Sequence, residues 1–246
     1  HAAQTGSVNL LKQVLSTGQP IDSLDVSHRT PLHLATQGSH KEMVEFMLKS
    51  GASARVKTKN NGLTPLHEVE NGEVAELLIQ GKADINAQDE WGMSPLHHAS
   101  NNGFAEVVRC LTHYKAMLNP IDGMGRTPLH LAAQHGYIDI VEELASSGAD
   151  LTVKDRHHRT ALDAAKTFGQ TEVAEVLLQM DGLLGEMGGG KSLRNLPAGS
   201  PARLNRGVNN SLVERPRTAD KIAQQDGSDD AKQEQATGEI NRLTLE

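Results

Sequence analysis

Residues 127–149 read TPLHLAAQHGYIDIVEELASSGA: a threonine–proline opening, an alanine-rich run, a glycine turn, then an amphipathic stretch that meets a second glycine. Thr127 stands where a helix begins, because its hydroxyl can accept a backbone N–H that the first turn leaves unpaired. Pro128 follows at the first helical position, where its missing N–H costs nothing. In the second run Ile140, Val141 and Leu144 recur at helical spacing and define an inward stripe, and Glu143 breaks the pattern at the stripe's edge. Gly148 falls where a left-handed residue closes a helix. The unit predicted is two short helices joined by a turn.

That unit recurs. TPLH stands also at 30–33 and 64–67, SPLH at 94–97 and the degenerate TALD at 160–163, with successive spacings of 34, 30, 33 and 33 residues. The second runs are EMVEFMLKSGA (42–52), EVAELLIQGKA (73–83), EVVRCLTHYKA (106–116) and EVAEVLLQM (172–180). Their stripes are Met43, Val44, Phe46 and Met47, and then Val107, Val108, Cys110 and Leu111. Gly18 and Gly51 close helices as Gly148 does, while Lys82 and Lys115 replace that glycine at a cost of about 1 kcal/mol each. A period near 33 residues marks a solenoid, in which no unit buries its apolar side without a neighbour.

These residues resemble the ankyrin repeat family, and the resemblance covers about residues 1–181. The expected fold is all-α, an ankyrin-repeat solenoid whose units are linked by β-hairpin-like loops. A partial first repeat at 1–24 is followed by repeats at about 25–58, 59–88, 89–121, 122–154 and 155–181. HAAQTG at 1–6 aligns with the middle of a first helix, so an upstream segment is open. Lys166, Glu172, Glu175 and Gln179 make the last unit polar enough for a solvent-facing cap. Only EVENG (68–72) separates the second TPLH from its second helix, about three residues short, so its first helix shrinks to one turn. That shortening, with DEWG at 89–92, is similar to the ankyrin-type cyclin-dependent kinase inhibitors.

Residues 182–246 are rich in Gly, Ser, Asn, Gln and charge, with Pro197, Pro201 and Pro216 and little apolar periodicity. They read as a disordered tail, unable to offset ordering entropy by burial. GEMGGGKS at 185–192 matches the phosphate-loop pattern through Gly185, Gly190, Lys191 and Ser192. That chemistry needs a strand before the loop and a helix after it. A helix precedes it here and a proline soon follows, so a glycine linker is the better reading.

Composition narrows function. Aromatics make up 2% of the chain and aliphatic residues dominate an apolar fraction of 37%, which suits close-packed helices. The net charge of −7 argues against nucleic acid, whose phosphates call for clustered Lys and Arg. No apolar run is long enough to span a bilayer, so no membrane contact is expected. Cys110 stands alone, which excludes an intrachain disulfide and fits a reducing, intracellular setting in cytoplasm or nucleus. Its helical stripe position marks it as packing, not a nucleophile. Of twelve histidines, His33, His67, His97 and His130 belong to the opening motif, and the resemblance gives them hydrogen bonds between neighbouring turns. His28, His157 and His158 lie in loops without the three or four convergent ligands of a zinc site. No catalytic residue, cofactor or metal site is assigned, and a monomer is expected.

The resemblance implies a concave, protein-binding face formed by loop tips and the outer side of the first helices. The tip residues that would contact a partner are Arg29, Glu90, Trp91, Met93, Met124, Arg126, Arg156, His157 and Arg159. The helices add Asn101, Asn102, Gln134, His135 and Phe168. Trp91, the sole tryptophan, falls at a tip, and interface energy concentrates in Trp, Tyr and Arg. The later arginines suggest a partner with negative charge there. Leu78, Asp84, Ile85 and Asn86 match the pattern that in this family attracts asparaginyl hydroxylation, with Asn86 as the acceptor. The expected function is a protein–protein interaction module acting as adaptor, scaffold or stoichiometric inhibitor. The alternatives are a kinase inhibitor of the type named above, or the non-catalytic part of an enzyme whose catalytic domain precedes His1.

Overall fold

A computed structural model describes residue 3 and residues 5–186. Helix α1 (Val8–Ser16) is followed by the pairs α2 (Pro31–Gln37) with α3 (Lys41–Lys49), α5 (Pro95–Asn102) with α6 (Ala105–His113), α7 (Pro128–His135) with α8 (Ile138–Ser147), and α9 (Ala161–Thr167) with α10 (Thr171–Glu186). Between α3 and α6's pair lies a single 3-10 turn, Pro65–Glu68, followed by α4 (Gly72–Gln80). The one-turn expectation holds: Val69 is already extended, so the missing residues come out of the first helix. No strand occurs among the described residues, so the loops are hydrogen-bonded turns and not paired strands.

The openings work as the sequence indicates. Thr30, Thr64, Ser94, Thr127 and Thr160 cap their helices with extended backbone, and proline stands at the start of the first four. Each cap is reciprocal. The histidine three residues on turns its Nδ1 back to the cap backbone N–H, at 3.1 Å for Thr30 and 3.0 Å for Ser94. In the last repeat Asp163 takes the histidine's place and accepts from the Thr160 N–H at 3.0 Å.

One aliphatic core runs through the stack, because each second helix offers its stripe to the next. Met43, Val44 and Met47, then Val74 and Leu78, then Val107, Val108 and Leu111, then Ile140, Val141 and Leu144 are all buried. Glu143 is partly exposed, and its carboxylate accepts from the hydroxyls of Thr112 and Ser147. Cys110 is less enclosed than a core position, being only partly buried. Gly103 ends α5 at φ 81°, and a Cβ there would meet the Tyr137 ring at 2.9 Å. Glycine is therefore needed twice over, for the turn and for the aromatic ring laid across it. Helix α10 continues through Glu186, so 182–186 is helical where a tail was expected. The remainder of that tail lies outside the described residues.

Candidate protein-interaction surface

Four of the five tips are held by an aspartate, the residue at which their repeats begin. Asp25, Asp89, Asp122 and Asp155 each accept two backbone N–H bonds through Oδ1, at 2.8–2.9 Å, from the residues two and four positions on. The second oxygen takes an arginine from the same loop: Arg29 on Asp25, Arg126 on Asp122 and Arg159 on Asp155. In the third full repeat Met93 occupies the arginine position, and His98 reaches Asp89 from α5 instead, at 2.8 Å. Burial works against the charge of Asp25 and Asp155, but hydrogen bonds from Arg29 and Arg159 outweigh it and hold both carboxyls below their ordinary range. The signal was present as aspartate and arginine four residues apart before the Thr–Pro opening. The second loop differs, with Thr58 in the aspartate's place, its hydroxyl accepting from the Leu63 N–H at 3.0 Å.

Neighbouring tips are joined by backbone. Lys59 N–H donates to Ser27 C=O at 3.3 Å, Glu90 to Asn61 at 3.0 Å, Gly123 to Trp91 at 2.7 Å and Arg156 to Met124 at 3.0 Å. The result is a ridge of tips, each tied to the next by a backbone hydrogen bond. Trp91 is 53% exposed and Met124 47%, on tips tied directly to each other. Glu90, Arg156 and His157 are exposed, and Met93 is partly buried. Arg29, Arg126 and Arg159 are half-buried in their ion pairs, so the positive character expected of the later tips reduces largely to Arg156.

The first-helix ends form the other margin. Asn101 and His135, from successive repeats, meet at 3.2 Å, and His135 stacks on Tyr137. Asn101 also donates to Asn102, and the Gln134 carbonyl accepts from Gln170. Phe168 is 48% exposed at the end of α9. The structure thus brings Asn101, Asn102, Gln134 and His135 together across α5 and α7.

The opening histidines are structural bridges. Nδ1 accepts from a backbone N–H, so it carries no proton, and Nε2–H must donate. The receiving carbonyls belong to the next repeat: His33 to Leu63, His67 to Met93, His97 to Arg126 and His130 to Arg159, at 2.9–3.2 Å. Both nitrogens are used on protein, which removes these rings from metal binding. Among the described residues no group of three or more His, Cys, Asp or Glu converges as a metal site would. Burial lowers the pKa of His33 and His97 and brings His67 to about 4, so the rings stay neutral as the bridge requires. Burial, with the Glu76 charge, pushes Cys110 up to about 11, which suppresses its thiolate.

Asn86 has a bridging task of its own, its Oδ1 accepting from the Met117 N–H at 2.9 Å. Gly185 of the phosphate-loop pattern lies in α10, whereas residues 187–192 fall outside the described part.

The family model for ankyrin repeats in three copies matches residues 1–89 and again 68–155. The chain belongs to the ankyrin repeat family. It is similar to mouse inversin, 33% identical over 117 residues that cover 45% of this chain and 11% of inversin. It is also 32% identical over 113 residues to the probable 26S proteasome regulatory subunit p28 of Saccharomyces cerevisiae, covering 44% of this chain and 49% of that one. It thus spans about a tenth of inversin and half of p28. An ankyrin repeat domain from Acinetobacter baumannii superimposes with a TM-score of 0.65 at 26% identity, over 73% of this chain and 95% of that domain. Ankyrin repeats are protein-interaction modules.

Proposed function

We propose that this chain is a non-catalytic binding module, acting as adaptor, scaffold or stoichiometric inhibitor, that holds another protein against the tip ridge and the first-helix ends. One observation carries the reading: Trp91 and Met124 stand exposed on adjacent tips that a 2.7 Å backbone bond fixes in place. A large aromatic held outward on a rigid frame loses little entropy on binding, which is how anchor residues gain their weight. Asn101, Asn102, Gln134 and His135 supply a polar rim, Glu90 and Arg156 add exposed charge along the tips, and His157 adds a further polar ring. The suppressed thiol and the fully bridged histidines favour binding over catalysis.

The test is affinity capture with the intact chain against Trp91→Ala. The truncation should weaken the captured partner by about 10-fold or more, with a thermal midpoint within a few degrees of the parent. Unfolding of the variant, with residual affinity intact, would place Trp91 in the scaffold and refute the assignment.

A further inference from the structure

The shortened repeat has made a second recognition feature. At the position directly after the bridging histidine the other full repeats carry Leu34, His98 and Leu131, whereas this one carries Glu68. The 3-10 turn ends on that residue and the chain leaves it extended. Its side chain is drawn inward, with Oε2 buried and lacking any hydrogen-bond partner. Beside it opens a cleft of about 270 Å³ between the first two full tips, walled by Ser27, Arg29, Thr58, Asn60, Asn61 and, as its one apolar side chain, Leu63. A space of that size has room for one long side chain.

Glu68 is the one acidic side chain that lines the cleft. Arg29 is the cation on its wall, but both its Nε and a terminal nitrogen lie 2.9 Å from Asp25. Those bonds commit Arg29 to Asp25; its charge still acts on Glu68 and partly offsets the effect of burial, but Glu68 Oε2 is left with no bonded partner. A carboxylate withdrawn from water without a partner is expensive, and burial accordingly pushes Glu68 up to about 7. A bound cation would reverse that cost. Asparagine carbonyls and the Thr58 hydroxyl offer further acceptors, which an ammonium with three donors or a guanidinium with five can use. An anion would meet the carboxylate, and an apolar side chain would leave these polar walls unpaired.

We infer that the cleft over Glu68 receives a lysine or arginine side chain of the protein held on the tip ridge. The inference rests on the binding-module reading above, but its test needs no partner. The isotope-labelled whole chain would be titrated by NMR with n-butylammonium and methylguanidinium chlorides, and with neutral N-butylacetamide at matched ionic strength. Saturable shifts of the Asn60, Asn61 and Leu63 amides are expected with both cations and not with the amide. Glu68→Gln keeps the shape and should weaken the response about tenfold, the loss of one charge-assisted contact. Asn60→Asp, at an exposed wall position, should strengthen it. Equal response to the neutral probe, or a cation response that survives Glu68→Gln unchanged, would overturn the assignment. So would tighter, saturable binding of magnesium, which would make the cleft an inorganic cation site. Loss of partner through Trp91→Ala is read separately, so either proposal can fail alone.

Discussion

The second and fourth full repeats open with the same four residues, and both bury the leucine of that opening almost completely, yet they continue differently. After Thr127 comes the two-turn helix α7, with Leu131, Ala132 and Ala133 packed inside. After Thr64 comes one 3-10 turn, then Glu68 and an extended residue. The histidine bridge survives in both: His67 reaches Met93 and His130 reaches Arg159. What the two repeats share is the cap, the bridge and the second helix. The length of the first helix differs between the two, and that difference reshapes the first-helix side without unstacking the core.

The largest effect should come from cutting the buried leucine in each. Leu66 and Leu129 are both 1% exposed, so loss of burial is the same for the two. The cavity term differs. Both leucines sit between neighbouring first helices. Leu129 belongs to a regular two-turn helix, whereas Leu66 belongs to a single 3-10 turn followed by extended backbone, a less hydrogen-bonded frame that should relax further around a void. Both alanine variants should cost about 2–5 kcal/mol, with Leu129→Ala the more damaging. Urea unfolding of the two decides it. A larger cost for Leu66→Ala would mean that the short repeat is the stiffer region, which would reverse the comparison.

Acid should separate the repeats next. His33, His67 and His97 have folded pKa values below their ordinary one, with burial the main cause, so below pH 6.5 the unfolded chain binds more protons than the folded one. Their contribution is complete above that pH and is lost as pH falls toward the value of about 4 at His67. Glu68 runs the other way. Its folded pKa of about 7 lies above the ordinary 4.5, so its protonated state favours the fold below about 4.5, and that contribution is lost as pH rises through 7. Glu68→Gln should therefore be more stable than the parent at pH 8, on the order of 1–3 kcal/mol, with the gap closing by pH 5. Thermal melts of both proteins across that range test it. A gap that stays constant with pH would show that the buried carboxyl is not the titrating group.

Most of the fold could be read from the chain because its determinants are local and repeated. Thr–Pro caps, glycine stops and apolar stripes each act within one unit, and five imperfect copies average out the exceptions. The shortened helix was legible too, since it is a count of residues. The clamp at each tip was visible in outline, as Asp25 and Arg29 recur at Asp122 and Arg126, but its meaning depends on which atoms meet. A spaced acid and base can equally be solvated neighbours. Sequence therefore placed Arg126 and Arg159 among partner contacts without showing that their charge is already answered. Glu68 carried no warning: one glutamate in a helix-forming run looks solvated until the third dimension puts a neighbouring tip above it. The hydrogen bond from Met117 to Asn86 was hidden for the same reason, since it joins residues one repeat apart.

The smallest predicted effect concerns how the second helices end. Lys82, closing the short repeat, and Lys115 adopt φ of 64° and 63°, where Gly148 of the regular repeat has 100°. Left-handed backbone costs a residue with a Cβ about 1–2 kcal/mol relative to glycine. Glycine gives back part of that through the greater freedom of its unfolded chain, about 0.4–1 kcal/mol. Lys82→Gly and Lys115→Gly should thus each stabilise the stack by about 0.5 kcal/mol, and Gly148→Lys should destabilise it by a similar amount. Arg55 donates to the carbonyl of Lys82 at 2.8 Å, a backbone contact that the glycine retains. The two lysine sites should therefore respond alike although they lie in differently built repeats. If Lys82→Gly gains nothing while Lys115→Gly does, strain at the end of the short repeat is already relieved by its altered first helix. The irregularity at Glu68 would then extend through α4 to the far side of its unit.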